Sequence, residues 1–127
     1  MEMNSNKISC LIVDDEPMAL QLIEGYVTKT PFLNLRHKCD SAIEALRYLE
    51  NEKVDLLFLD IQMPDLTGIG LSKLIPKSTR VIFTTAFSEY ALEGYKVEAL
   101  DYLLKPFDYE EFLIAATKAK DWFALVK

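Results

Sequence analysis

Acids, a threonine and a lysine stand where the apolar runs of this chain stop. Ile8-Ser9-Cys10-Leu11-Ile12-Val13 ends in Asp14-Asp15-Glu16, and Val54-Asp55-Leu56-Leu57-Phe58-Leu59 ends in Asp60. Arg80–Thr84 runs out into Thr85-Ala86, and Ala99–Leu104 ends in Lys105-Pro106. If these runs are parallel strands of one sheet, their polar ends converge at one edge, where open α/β sheets bind ligands. Carboxylates brought within a few ångström repel, so one takes up a proton or a cation neutralises them. Oxygen donors with no histidine or cysteine among them suit a hard ion, Mg²⁺ most naturally. Lys105 adds a mobile positive charge and Thr85 a hydroxyl. Such a set is fitted to receive a phosphoryl group on the carboxylate of Asp60. Each part has an ordinary reading of its own: Asp14-Asp15-Glu16 as a solvated helix entry, Thr85 as a strand end, Lys105 as a surface lysine. Their joint spacing is what speaks against those readings.

The elements that must position these residues are legible in the pattern. Val54–Asp60 is a short apolar run bounded by Lys53 and Pro64, which fits a strand covered on both faces. After the first strand, Pro17 suits a helix's first turn, and Ala19, Leu22, Ile23, Tyr26 and Val27 follow the helical period until Pro31. Leu33–Cys39 reads as a second strand nearer an edge. Ser41 is placed to cap a second helix, with Glu44 completing a capping box; Ala42, Ala45, Leu46 and Leu49 share one face. A turn-rich passage, Ile61 to Gly68, leads to a third helix expected over Ile69–Ile75, weakened by Gly70. Arg80–Thr84 is the fourth strand. Ser88 caps a fourth helix, Glu89–Lys96, weakened by Gly94; Ala99–Leu104 is the fifth strand. Asp108 caps a last helix in which Phe112, Ala115, Ala116, Ala119, Trp122 and Phe123 keep the period, the last two as packing residues. The pattern is (βα)5, an α/β fold with a parallel sheet and helices on both faces.

The 127 residues form one domain, and with half of them hydrophobic the chain can bury a core without metal or disulfide staples. A net charge of −6 argues against gripping nucleic acid or an anionic membrane by bulk electrostatics. Cys10 and Cys39, without CxxC spacing, read as buried hydrophobes in a reducing compartment. His37, the single histidine, reads as a strand surface residue rather than a metal or catalytic one. No basic start with a long apolar stretch is present, so a cytoplasmic protein is expected.

Four segments together resemble the receiver domain of two-component response regulators. They are Ile12-Val13-Asp14-Asp15-Glu16, Leu59-Asp60-Ile61-Gln62-Met63-Pro64 with Gly68, Thr84-Thr85-Ala86, and Asp101-Tyr102-Leu103-Leu104-Lys105-Pro106-Phe107. The resemblance spans essentially the whole chain, and Val81 to Leu92 with Asp101 to Phe107 is similar to receivers of the LytTR transcription-factor type. It implies a flavodoxin-like three-layer sandwich with strand order 2-1-3-4-5. It implies that Asp60 accepts a phosphoryl group from the phosphohistidine of a sensor histidine kinase. Asp15, Asp60 and the backbone carbonyl of Gln62 would bind Mg²⁺, with Asp14 holding it through water. Lys105 would pair with the phosphoryl oxygens, Thr85 would move to bond them, and Tyr102 would turn inward after it. The Lys105–Pro106 peptide would be cis. Gln62 and Phe87 lie where the family varies phosphoryl lifetime, and bulky Phe87 is expected to shield the acyl phosphate from water.

The expected product is a conformation rather than a metabolite, so no enzyme activity beyond limited self-phosphorylation and autohydrolysis is expected. The switching face would be the fourth helix, fifth strand and last helix, able to pair with a second copy or an effector. A Mg²⁺-dependent phosphatase is disfavoured because no second acid follows Asp60 by two residues. No GxxxxGK is present for a P-loop, and no Ser/Thr/Gly-rich loop follows the first strand for a flavin. A receiver fold working without phosphorylation fits poorly with a full set of acids, Thr and Lys. No LytTR or helix-turn-helix output domain lies in these residues. The expectation is a receiver from a longer DNA-binding regulator, the alternative a stand-alone regulator acting by protein contacts.

Overall fold

Five parallel strands run in the order β2-β1-β3-β4-β5, the flavodoxin-like order that the family resemblance implies. The computed structural model describes residues 7–64, 66–87 and 99–126. The strands are β1 (Ile8–Val13), β2 (Leu33–Cys39), β3 (Leu56–Asp60), β4 (Arg80–Thr85) and β5 (Asp101–Leu104). Between them lie α1 (Pro17–Lys29), α2 (Ala42–Asn51) and α3 (Gly68–Ser72), and a last helix, Tyr109–Leu125, follows β5. The expected fourth helix, with Ser88 and Gly94, lies outside the described residues. No helix among the described residues is long and apolar enough to cross a membrane.

β3 is central, and all five of its residues are buried. Its alternation serves two cores. Leu56 and Phe58 join Ile8, Cys10, Ile12 and the α1 and last-helix residues Ile23, Val27, Phe112 and Ala116. Leu57 and Leu59 join Leu11, Val13, Cys39, Ala45 and Leu71 on the opposite face. Burying each such Leu or Phe is worth roughly 1.5–3 kcal/mol, which is why a two-faced run of this kind takes the middle of a sheet. β2 lies at an edge, and its register on β1 slips once: Cys10 pairs with Leu35 but Leu11 with His37. Arg36 is the extra residue. The slip turns His37 and Cys39 toward the α2 face, whereas Leu33 packs on the α1 face.

Several boundaries differ from the pattern-based expectation. β3 begins at Leu56, just after Asp55, whose N–H and carboxylate bond Ser9, and β4 extends to Thr85. α3 covers only Gly68–Ser72 instead of Ile69–Ile75. Thr67 caps it one residue early by accepting from the Gly70 N–H, and it tightens at Lys73, whose N–H bonds the Gly70 carbonyl. On α1, Leu22 is exposed and Leu20 packs on the core instead. Ser41 caps α2, but the Glu44 carboxylate reaches the Asp40 N–H rather than that of Ser41, so the capping box is offset by one residue. Asp108 and Glu111 form a complete box on the last helix. Trp122 packs under the Arg80 guanidinium and against Phe123.

Candidate functional site

The carboxyl ends of β1, β3, β4 and β5 bring the sequence-nominated residues together. Asp14 follows β1 and is fully buried; Asp60 closes β3 and is 4% exposed. Carboxylate oxygens of Asp14, Asp15 and Asp60 lie within 4.8 Å of one another, with Asp15 on the solvent side. Lys105, just past β5, donates to Asp14 Oδ2 at 2.9 Å and stands 3.5 Å from Asp60 Oδ1. The other Asp14 oxygen accepts the Glu16 N–H at 2.9 Å, fixing the turn into α1. Gln62 sits beside Asp60 and donates its N–H to Oδ1 at 3.4 Å. Thr85 is fully buried, and its hydroxyl accepts the Phe87 N–H at 3.0 Å. Tyr102 is half-buried on β5 opposite Phe83, with ring centroids 5.2 Å apart.

The electrostatics follow from crowding. Burial is the largest influence on Asp60, with the Asp14 charge next; Lys105 and the Gln62 N–H oppose them and Asp15 adds to them. The carboxyl is pushed up to about 6. For Lys105, burial by itself would lower the pKa. The hydrogen bond and charge of Asp14, then Asp60 and Glu16, outweigh it and hold the ammonium above its ordinary value. One ammonium against three carboxylates leaves negative charge uncompensated. An all-oxygen donor set with that surplus fits a hard divalent cation.

The Lys105–Pro106 peptide is cis, as the resemblance implied, and the Lys105 N–H donates to the Thr85 carbonyl at 2.7 Å. Gly68, quoted above only as part of a motif, has a definite task. Its N–H donates to the Ile61 carbonyl at 2.8 Å, and a Cβ there would collide with the Asp60 carbonyl and Ile61 Cα. A lone glycine after a turn gives no sign of that approach in the sequence. Glu16, the last of the three acids after β1, also helps to hold the Lys105 ammonium protonated.

The model of the response regulator receiver domain matches residues 10–117. The chain is a response regulator receiver domain. This receiver is 41% identical over 103 residues to an uncharacterized response regulatory protein of Shewanella oneidensis, covering 80% of the chain and 44% of that protein. It is 38% identical over 112 residues to the sensory transduction protein LytT of Enterococcus faecalis, covering 86% of the chain and 46% of LytT. The receiver thus spans less than half the length of these relatives. Among solved structures, the response regulatory domain of protein mrkE from Klebsiella pneumoniae matches with a TM-score of 0.84 and 28% identity. That match covers 93% of this chain and 99% of the other.

Proposed function

We propose that this receiver is the switch of a cytoplasmic two-component pathway, and that Asp60 accepts a phosphoryl group from the phosphohistidine of a sensor kinase. The observation that carries the reading is a nearly buried strand-end carboxylate facing two further acids within 4.8 Å and an ammonium at 3.5 Å. In the transfer an Asp60 oxygen attacks phosphorus. The P–N bond breaks, its electron pair returns to the donor imidazole, and that nitrogen takes a proton from water. Asp14, Asp15, Asp60 and the Gln62 carbonyl would hold Mg²⁺, which supplies positive charge against the phosphoryl oxygens. Lys105, held protonated by its carboxylate partners, pairs with the oxygens that arrive. The Thr85 hydroxyl turns to donate to one of them, and Tyr102 shifts into the space Thr85 leaves.

The product is a conformation that alters pairing with a second copy or an effector through the β5 and last-helix face. Turnover is limited to self-phosphorylation and hydrolysis of the acyl phosphate. We take the output to be a LytTR-type DNA-binding domain beyond Lys127; that LytT is more than twice as long as the matched region supports further chain, and the gene sequence downstream tests the reading. The chemistry is tested by incubating wild type and Asp60→Asn with acetyl phosphate and Mg²⁺ and weighing the intact proteins. Wild type gains one phosphoryl mass and Asp60→Asn none; equal gain overturns the reading. Phe87, 45% exposed beside Thr85, shields the phosphoryl group. Phe87→Ala should hydrolyse it several-fold faster in a phosphate-release assay.

A further inference from the structure

The register slip in β2 creates a second cluster of ligating side chains, on the α2 side of the sheet. Because Arg36 is the unpaired residue, His37 and Cys39 both face α2, a re-aiming that β-bulges commonly perform. There they meet Glu44 from the first turn of α2. One ligand atom of each, an imidazole nitrogen, the Cys39 Sγ and a carboxylate oxygen, lies within 4.8 Å of the others. The imidazole and carboxylate are already held. The His37 ring stacks on Tyr48, with centroids 4.6 Å apart and planes 7° from parallel. Glu44 Oε1 accepts the Asp40 N–H at 3.3 Å, which leaves Oε2 turned to His37 Nε2 at 3.9 Å. Ligands of a tetrahedral ion with bonds of about 2.0–2.3 Å stand roughly 3.3–3.8 Å apart. The closure needed is therefore small, and the His37 and Glu44 side chains that would make it are both exposed.

We propose that His37, Cys39 and Glu44 form a binding site for a borderline-soft divalent transition metal of the Zn²⁺ or Co²⁺ class, separate from the acidic pocket. The donor set carries the chemical class. A thiolate and an imidazole favour such ions over Mg²⁺, while one carboxylate and three protein ligands leave a position for water. Binding replaces the Cys39 thiol proton with the metal and releases that proton to solvent. Burial, with Glu44 and Asp40 nearby, holds the free thiol neutral, so the sulfur is inert until a cation arrives. The Cys39 carbonyl accepts the Asp14 N–H at 3.1 Å, which places the bound ion one backbone hydrogen bond from the acidic pocket.

The test is Co²⁺ titration of the full chain in excess Mg²⁺, which occupies the oxygen-only site, with a phosphine reductant present. Wild type and Asp60→Asn should each bind one Co²⁺ with a near-ultraviolet thiolate-to-cobalt charge-transfer band. Cys39→Ser should lack the band. His37→Ala and Glu44→Gln should bind at least tenfold more weakly; both change exposed side chains, so they stay informative if the buried Cys39→Ser fails to fold. No band in wild type, or a band whose affinity survives His37→Ala and Glu44→Gln, overturns the proposal.

Discussion

At the scale of single residues, Asp60 shows how a buried carboxylate beside other acids destabilises the fold that holds it. Its folded pKa is about 6 against an ordinary value of 3.8, with burial first and Asp14 second among the causes. A raised acid contributes no penalty below its unfolded pKa, and stability is lost as pH rises through the folded one. At 1.36 kcal/mol per pKa unit, the loss is about 3 kcal/mol, developed between about pH 4 and pH 6 and full at pH 7. Asp60→Asn cannot ionise. In EDTA it should be more stable than wild type at pH 7 by up to that amount, with the two converging near pH 4. Urea midpoints across this range decide it, and a pH-independent difference would sink the electrostatic account.

At the scale of elements, the turn from β3 into α3 is set by close approach rather than by helix propensity. Gly68 has no room for a Cβ against the Asp60 backbone, and no described glycine has a positive φ. Gly68→Ala must push the α3 entry away from the strand carrying Asp60. It should cost about 1–3 kcal/mol, the usual range for overpacking, and slow phosphorylation as well. Gly25→Ala on α1 is the control, since a Cβ there meets nothing within 4 Å. That change should stabilise by up to about 1 kcal/mol from propensity alone. Paired urea denaturation curves measure both, and equal effects of one sign would reject the packing argument.

At the scale of the whole molecule, a sheet with two separate cores is anchored by a polar edge whose charges do not balance. β3 contributes to both cores and ends in that edge. Anything neutralising the edge should therefore stabilise the entire domain. Mg²⁺ at a hundred times its dissociation constant is worth about 2.7 kcal/mol to the folded state, a rise of several degrees in Tm. EDTA should reverse the rise and Asp60→Asn should remove most of it, as followed by calorimetry. An equal rise in both proteins would place the ion elsewhere.

The succession along the chain of the five strands and the described helices, the two-faced character of β3, the caps at Ser41 and Asp108, and the residues at the acidic edge were all carried by local pattern. Apolar runs and the polar residues that end them are properties of neighbouring positions, so a linear reading reaches them. Three features were decided only in three dimensions: the short α3, the task of Gly68 beside the Asp60 backbone, and the meeting of His37 and Cys39 with Glu44. Each depends on which backbone lies against which, or on a one-residue slip in strand pairing. Such contacts join distant parts of the chain, and no spacing within one segment encodes them.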